Sequence, residues 1–150
     1  MLKLITMSLC LILLIQCKSQ SYTPYDYQGP SIRIGTGGGY TGQVREYCLL
    51  SNGQVFFGTN KEGFVNELES LSRDEVDQIF KNYSQLAFSE LKIDKPGNMY
   101  HYLIYKDGKG EHKIQWGAHD ANPPRELSIY FANLKKQFNQ KGQLKYTNEH

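Results

Sequence analysis

Apolar residues are spread unevenly along this 150-residue chain. Residues 4–15 form a near-continuous apolar run behind a single charge, Lys3. That run is shorter than the roughly 20 residues a membrane-crossing helix needs. From residue 31 onward the pattern becomes periodic. Residues 31–34 alternate and predict a first strand, after which Gly35, Thr36, Gly37, Gly38 and Gly39 are expected to break regular structure. Residues 43–50 predict a second strand. Asn52-Gly53 then predicts a two-residue hairpin turn into residues 54–57. In that register Leu50 opposes Val55 and Cys48 opposes Phe57. Tyr47, Leu49 and Phe56 fall together on the opposite face, which is unusually apolar for a solvated one. Residues 60–71 are ambiguous, with Phe64, Val65 and Leu68 compatible with an edge strand.

Helical spacing begins at Ser72. Ser72 and Glu75 form a capping-box pair, Asp74 and Glu75 suit the helix N-terminus, and Val76, Ile79, Phe80 and Tyr83 recur on one face. The spacing predicts a helix over 73–85. Residues 99–106 and 111–117 predict a second hairpin with Lys106 opposite Glu111, Leu103 opposite Ile114, and His101 opposite Trp116. Pro123-Pro124 opens a second helix, and Leu127, Tyr130, Phe131, Leu134 and Phe138 make its apolar stripe. The order ββαββα predicts an α+β fold: a single antiparallel sheet of four or five strands with both helices on one face and the other face open. Trp116 is expected in the core.

The first segment reads as the positive start and apolar body of a secretory signal, and it ends at Cys17. With Leu14 and Ile15 before that cysteine and the polar Lys18-Ser19-Gln20-Ser21 after it, the segment resembles a bacterial lipoprotein signal. Gln16 departs from the small residue usual in such a signal. The resemblance implies removal of residues 1–16 and acylation of Cys17 with diacylglyceryl and fatty acyl (palmitate-type) chains. It places the protein in the cell envelope, held to a membrane by lipid. Lys18, in place of the acidic residue some bacteria use for inner-membrane retention, favours the outer membrane. Residues 17–30, rich in Ser, Gln, Tyr and Pro, are expected to be the lipidated cysteine and a flexible tether. Residues 31–138 are expected to be one domain, and residues 139–150 a polar tail.

Cysteine arithmetic leaves only Cys48 in the mature domain, so no internal disulfide is available. Its strand-like setting predicts a small buried side chain. The net charge of +2, without a basic run, gives no footprint for nucleic acid. Gly35, Gly37, Gly38 and Gly39 do not complete a dinucleotide-binding pattern, and no Walker lysine follows. His101, His112, His119 and His150 lack metal-ligand spacing, and His101 and His112 would lie about 13 Å apart along the hairpin. No G-x-S-x-G or carboxylate pair stands out. The expectation is a protein without enzymatic activity, metal or cofactor.

Residues Gly38-Gly39-Tyr40-Thr41-Gly42, the strand-turn Tyr102-Leu103-Ile104-Tyr105-Lys106-Asp107-Gly108, His112-Lys113-Ile114, and Pro124 with Leu127 and Leu134 together resemble the emfourin family. Members of that family are small protein inhibitors of thermolysin-like metallopeptidases. The lipoprotein signal, the tether and residues 54–66 are departures from it. The resemblance implies a non-catalytic domain that binds a protein partner, with a metallopeptidase as the candidate. Gly37, Gly38, Gly39, Tyr40 and Gly42 are then the partner-binding residues, with Tyr40 as the aromatic anchor. The alternative is a structural subunit of an envelope assembly that binds through the open sheet face, around Tyr47 and Phe56.

Overall fold

A computed structural model describes residues 21–148. Their elements, in order, are β1 (Ser31–Gly38), β2 (Arg45–Leu50), β3 (Val55–Thr59), β4 (Gly63–Glu67), α1 (Arg73–Gln85), a 3₁₀ turn (Phe88–Glu90), β5 (Asp94–Lys95), β6 (Met99–Asp107), β7 (Gly110–Trp116) and α2 (Arg125–Asn148). The fold is α+β, as the pattern predicts. The strand count and the pairing are corrected: one seven-stranded sheet in the order β4-β3-β2-β1-β6-β7-β5. It is mixed, because the short β5 runs parallel to β7. The two-residue β5 and the edge strand β4 are too brief, or too polar, to show a clear alternation in sequence.

The largest difference lies in β1. Gly35, Gly37 and Gly38 do not interrupt it. The strand continues through them, paired with β2 on one side and β6 on the other. Glycine is disfavoured inside a strand unless something occupies its missing side-chain space. Here the rings of Tyr102 and Tyr100 do so. A Cβ built on Gly35 would lie 2.2 Å from Tyr102 Cζ, and one on Gly37 would lie 2.7 Å from Tyr100 Cζ. The Tyr102 hydroxyl completes the crossing by donating to Glu46 Oε2 at 2.9 Å on the far strand.

The first hairpin is also corrected, by one residue. Leu49 opposes Val55, Cys48 opposes Phe56 and Tyr47 opposes Phe57. The turn has three residues: Gly53 donates to the Leu50 carbonyl at 2.9 Å, and Leu50 N–H donates to the Gln54 carbonyl at 2.9 Å. Gly53 takes φ of +100°, and a Cβ there would meet the Leu71 carbonyl oxygen at 2.7 Å. The extra residue is the bulge form of the hairpin turn. Because side chains alternate with period two, the shift exchanges faces. Tyr47, Leu49, Val55 and Phe57 face the helices, and Cys48, Leu50 and Phe56 face away. Tyr47 and Phe56 therefore lie on opposite faces. The second hairpin has the predicted register, from Lys106–Glu111 to His101–Trp116.

Both helices pack on one face. Val76, Ile79 and Tyr83 of α1 and Leu127, Tyr130, Phe131, Leu134 and Phe138 of α2 share a core with Ile32, Ile34, Leu103 and Ile114. The capping box of α1 forms as predicted. Glu75 N–H donates to Ser72 Oγ at 3.4 Å, and Ser72 N–H donates to Glu75 Oε2 at 2.7 Å, a bond that holds the carboxyl of Glu75 below its usual range. Helix α2 does not stop at Phe138. Its backbone runs on to Asn148, so the expected polar tail is helical over 139–148. Gly142 lies against Leu68, and Lys141 reaches Glu75 Oε2 at 3.7 Å.

The opposite face is only partly open. Residues 21–30, expected as free tether, fold back over it. Tyr22 and Tyr27 cover Cys48, Leu50 and Phe56. The Tyr27 hydroxyl bonds Ser51 Oγ at 2.7 Å, and Ser51 N–H donates to the Pro30 carbonyl at 2.9 Å. Beyond this strap the face carries its own polar cover, with Arg33 paired to Glu111 at 2.9 Å and Lys113 Nζ 5.7 Å from the centre of the Tyr102 ring.

Trp116 is 6 % exposed and meets Phe131 edge-on at 5.2 Å. Truncating an aromatic so placed costs about 3–5 kcal/mol. Trp116→Ala is expected to lower the midpoint of chemical denaturation severely. The wild-type emission, from the sole Trp, is expected to be blue-shifted and poorly quenched by iodide.

Candidate functional site

Strand β1 ends at Gly38, its last paired residue, and the chain then turns. Gly38, Gly39 and Gly42 take φ of +102°, +72° and +59°. These values are open to glycine and costly for other residues. The resulting turn carries Tyr40 at its apex, where the side chain is fully exposed. The turn is braced at both ends. Gly39 N–H donates to the Asn98 carbonyl at 2.7 Å. Asn60 Nδ2 donates to the Gly42 carbonyl at 3.1 Å, while Val44 N–H donates to Asn60 Oδ1 at 3.1 Å. An exposed aromatic on a backbone held this firmly loses little entropy on binding.

Gly37, Gly38, Gly39 and Tyr40 line a shallow groove of about 360 Å³ with Met99 and Arg45. Gly42 stands beside it and shapes the turn without lining it. Thr36 and Arg45 also line a neighbouring cleft of about 250 Å³, walled by Tyr47, Phe57, Phe131 and Lys135. Tyr47 and Phe57 continue into a third depression of about 360 Å³ along α2. The surface is thus a path leading from the Tyr40 turn past Arg45 to the flank of α2. Arg45 and Lys135 are paired with no carboxylate among the described residues. The path is aromatic in its floor and cationic at its mouth.

Burial raises the pKa of the Tyr47 phenol, partly offset by the charge of Arg45, so the group stays protonated and donates to Asn139 Oδ1. His101 packs between Trp116 and Phe131, at 5.7 and 5.1 Å, and its Nδ1 is buried without a partner among the described residues. His112 bridges the Tyr83 hydroxyl at 3.0 Å and the Leu91 carbonyl at 2.9 Å. Both histidines are thus engaged in packing. Cys48 is buried, and burial pushes its thiol up to about 12, which leaves it a protonated packing group at neutral pH. Among the described residues no group of three or more His, Cys, Asp or Glu is placed to hold a metal ion. The arrangement is chemically suited to binding.

No family model matches the chain, and no curated protein matches it. Among the described residues no helix is long and apolar enough to cross a membrane. Cys17 and residues 1–16 lie outside the described residues. Of the site residues read from sequence, the structure brings Gly37, Gly38, Gly39 and Tyr40 together at one surface with Gly42 behind them. Sequence reasoning missed Arg45, Met99 and Lys135, which come from three other elements. It also missed Asn60, whose only signal was an Asn in a turn.

Burial, and then the charge of Lys135, lower the pKa of His101 below 6.5. A base depressed in the fold leaves more protons on the unfolded chain. The stability it contributes is present above about pH 6.5 and lost as pH falls below it. The His101 ring is expected to titrate below 6.5 by NMR, and His101→Phe to flatten the loss of stability on acidification. Titration above 6.5 would contradict this account of its surroundings.

Proposed function

We propose that this chain is a cell-envelope lipoprotein, acylated on Cys17, whose domain binds another protein through the Tyr40 turn and the cationic path beside it. The observation that carries the reading is Tyr40, a fully exposed aromatic on a doubly braced turn. Such a side chain gains nothing for the fold by standing in water, and aromatics of this kind concentrate binding energy when a partner covers them. Arg45 and Lys135, with no carboxylate partner among the described residues, suit a partner that presents acidic groups around an apolar cleft. The resemblance to the emfourin family favours a thermolysin-like metallopeptidase in that role, with the lipoprotein as its inhibitor. Lys18 favours the outer membrane as the site of anchoring.

The alternative, an assembly subunit docking through an open sheet face, draws less support. Tyr47 faces α2, and Phe56 is buried beneath Tyr22 and Tyr27. Among the described residues, the part of that face clear of the strap carries Tyr100, Tyr102, Lys113 and the Arg33–Glu111 pair.

Capturing the full-length lipoprotein from its own membranes and identifying what accompanies it tests the reading. Tyr40→Ala is expected to weaken binding of the captured partner by about 2 kcal/mol or more, roughly thirtyfold. It should leave stability within about 0.5 kcal/mol of wild type, as is usual for an exposed position. Cys17→Ser is expected to release the protein from the membrane. A partner held equally well by the Tyr40→Ala protein would refute the proposed surface.

A further inference from the structure

We infer that the lipid anchor orients the domain as well as locating it: the end of the sheet carrying the 51–53 turn faces the bilayer, and the Tyr40 turn stands at the far end. The inference rests on acylation of Cys17, as proposed above. It comes from the strap that composition reads as free linker.

Gln54, only 8 % exposed, clips the start of that strap. Tyr22 N–H donates to Gln54 Oε1 at 3.0 Å, and Gln54 Nε2 reaches the Tyr22 carbonyl and Ser21 Oγ, each at 3.2 Å. The amide is itself fixed by Asn52 Nδ2 at 2.7 Å and Glu67 Oε1 at 2.9 Å. The chain therefore leaves the domain at the 51–53 turn. Only four residue steps separate Ser21 from Cys17, a reach of at most about 14 Å. A released strap would allow several times that reach.

The polarity of β1 does the rest. Ser31 pairs with Leu50 and Lys106 at the same end of the sheet as the exit point. Gly38 pairs with Met99 at the other end, seven residues along, which is about 23 Å at the usual rise. A tether this short keeps the exit end at the lipid headgroups and sets the Tyr40 turn toward whatever lies beyond the membrane surface. The partner-binding path then needs no long linker to clear the bilayer.

The test uses the full-length lipoprotein, purified from membranes, checked for lipid by intact mass, and reconstituted into vesicles of phosphatidylethanolamine and phosphatidylglycerol bearing headgroup-attached quencher. A fluorophore is placed at Lys109→Cys, in the turn at the exit end, or at Lys61→Cys, in the turn at the far end; both positions are exposed and Cys48 is buried. Quenching at 109 is expected to exceed that at 61 about twofold or more. Gln54→Ala, with folding verified by Trp116 emission, is expected to shrink the difference by freeing the strap. Equal quenching at both positions on lipidated protein overturns the orientation while leaving the lipoprotein reading intact. A difference unchanged by Gln54→Ala overturns the role given to the clip. A mass without lipid overturns the lipoprotein reading, and the orientation with it.

Discussion

The fold depends on the way tyrosines on β6 lie across glycines on β1. β1 is the middle strand of the sheet, and every other element reaches its place through pairing or packing that starts there. A side chain at Gly35 would occupy the space of the Tyr102 ring. With glycine there, the ring crosses the strand and its hydroxyl reaches Glu46 on β2, so one side chain spans three strands. The phenol stays neutral because burial and the nearby Glu46 carboxylate both raise its pKa. The same glycines that look like a break in sequence thus let the sheet close around its centre.

From that centre the two ends of β1 acquire different tasks. The start of β1, beside the 51–53 turn, is where residues 21–30 are fastened to Gln54, Ser51 and the apolar patch of Cys48, Leu50 and Phe56. The end of β1 becomes the Tyr40 turn, held by Asn98 and Asn60. The one-residue offset in the first hairpin joins these tasks. It turns Cys48, Leu50 and Phe56 toward the strap, and it turns Arg45 and Tyr47 toward α2, where they form the path leading from Tyr40.

Much of this was legible in the sequence wherever a local signal matched the tertiary solution. The capping box at Ser72, the helix over 73–85 and the whole register of the second hairpin follow from spacing alone. The burial of Trp116 follows from that register. What sequence reasoning missed depends on contacts distant along the chain. Asn52-Gly53 is a two-residue turn by pattern, yet the loop takes a third residue, with Gly53 set against the Leu71 carbonyl and Gln54 N–H bonded to Asn52 Oδ1. Gly35 and Gly37 are breakers until Tyr100 and Tyr102, some 65 residues on, are laid over them. Residues 21–30 have the composition of a linker, and only the patch left by the hairpin offset gives Tyr22 and Tyr27 something to cover. Residues 139–148 are polar enough to fray alone but continue a helix already docked by Phe138. Tyr40 and its glycines stood out in sequence. Arg45 and Lys135 did not, because single cations on different elements carry no pattern.

β1 is a continuous central strand that carries the Tyr40 turn on a rigid base, in contrast to a glycine-rich loop with free backbone. Amide hydrogen exchange on the folded domain tests this most directly. Gly35 and Gly37 are expected to exchange as slowly as Ile32 and Ile34, with protection approaching that of global unfolding. Exchange of Gly35 and Gly37 at the rate of an unstructured peptide, beside a protected Ile32 and Ile34, would contradict it.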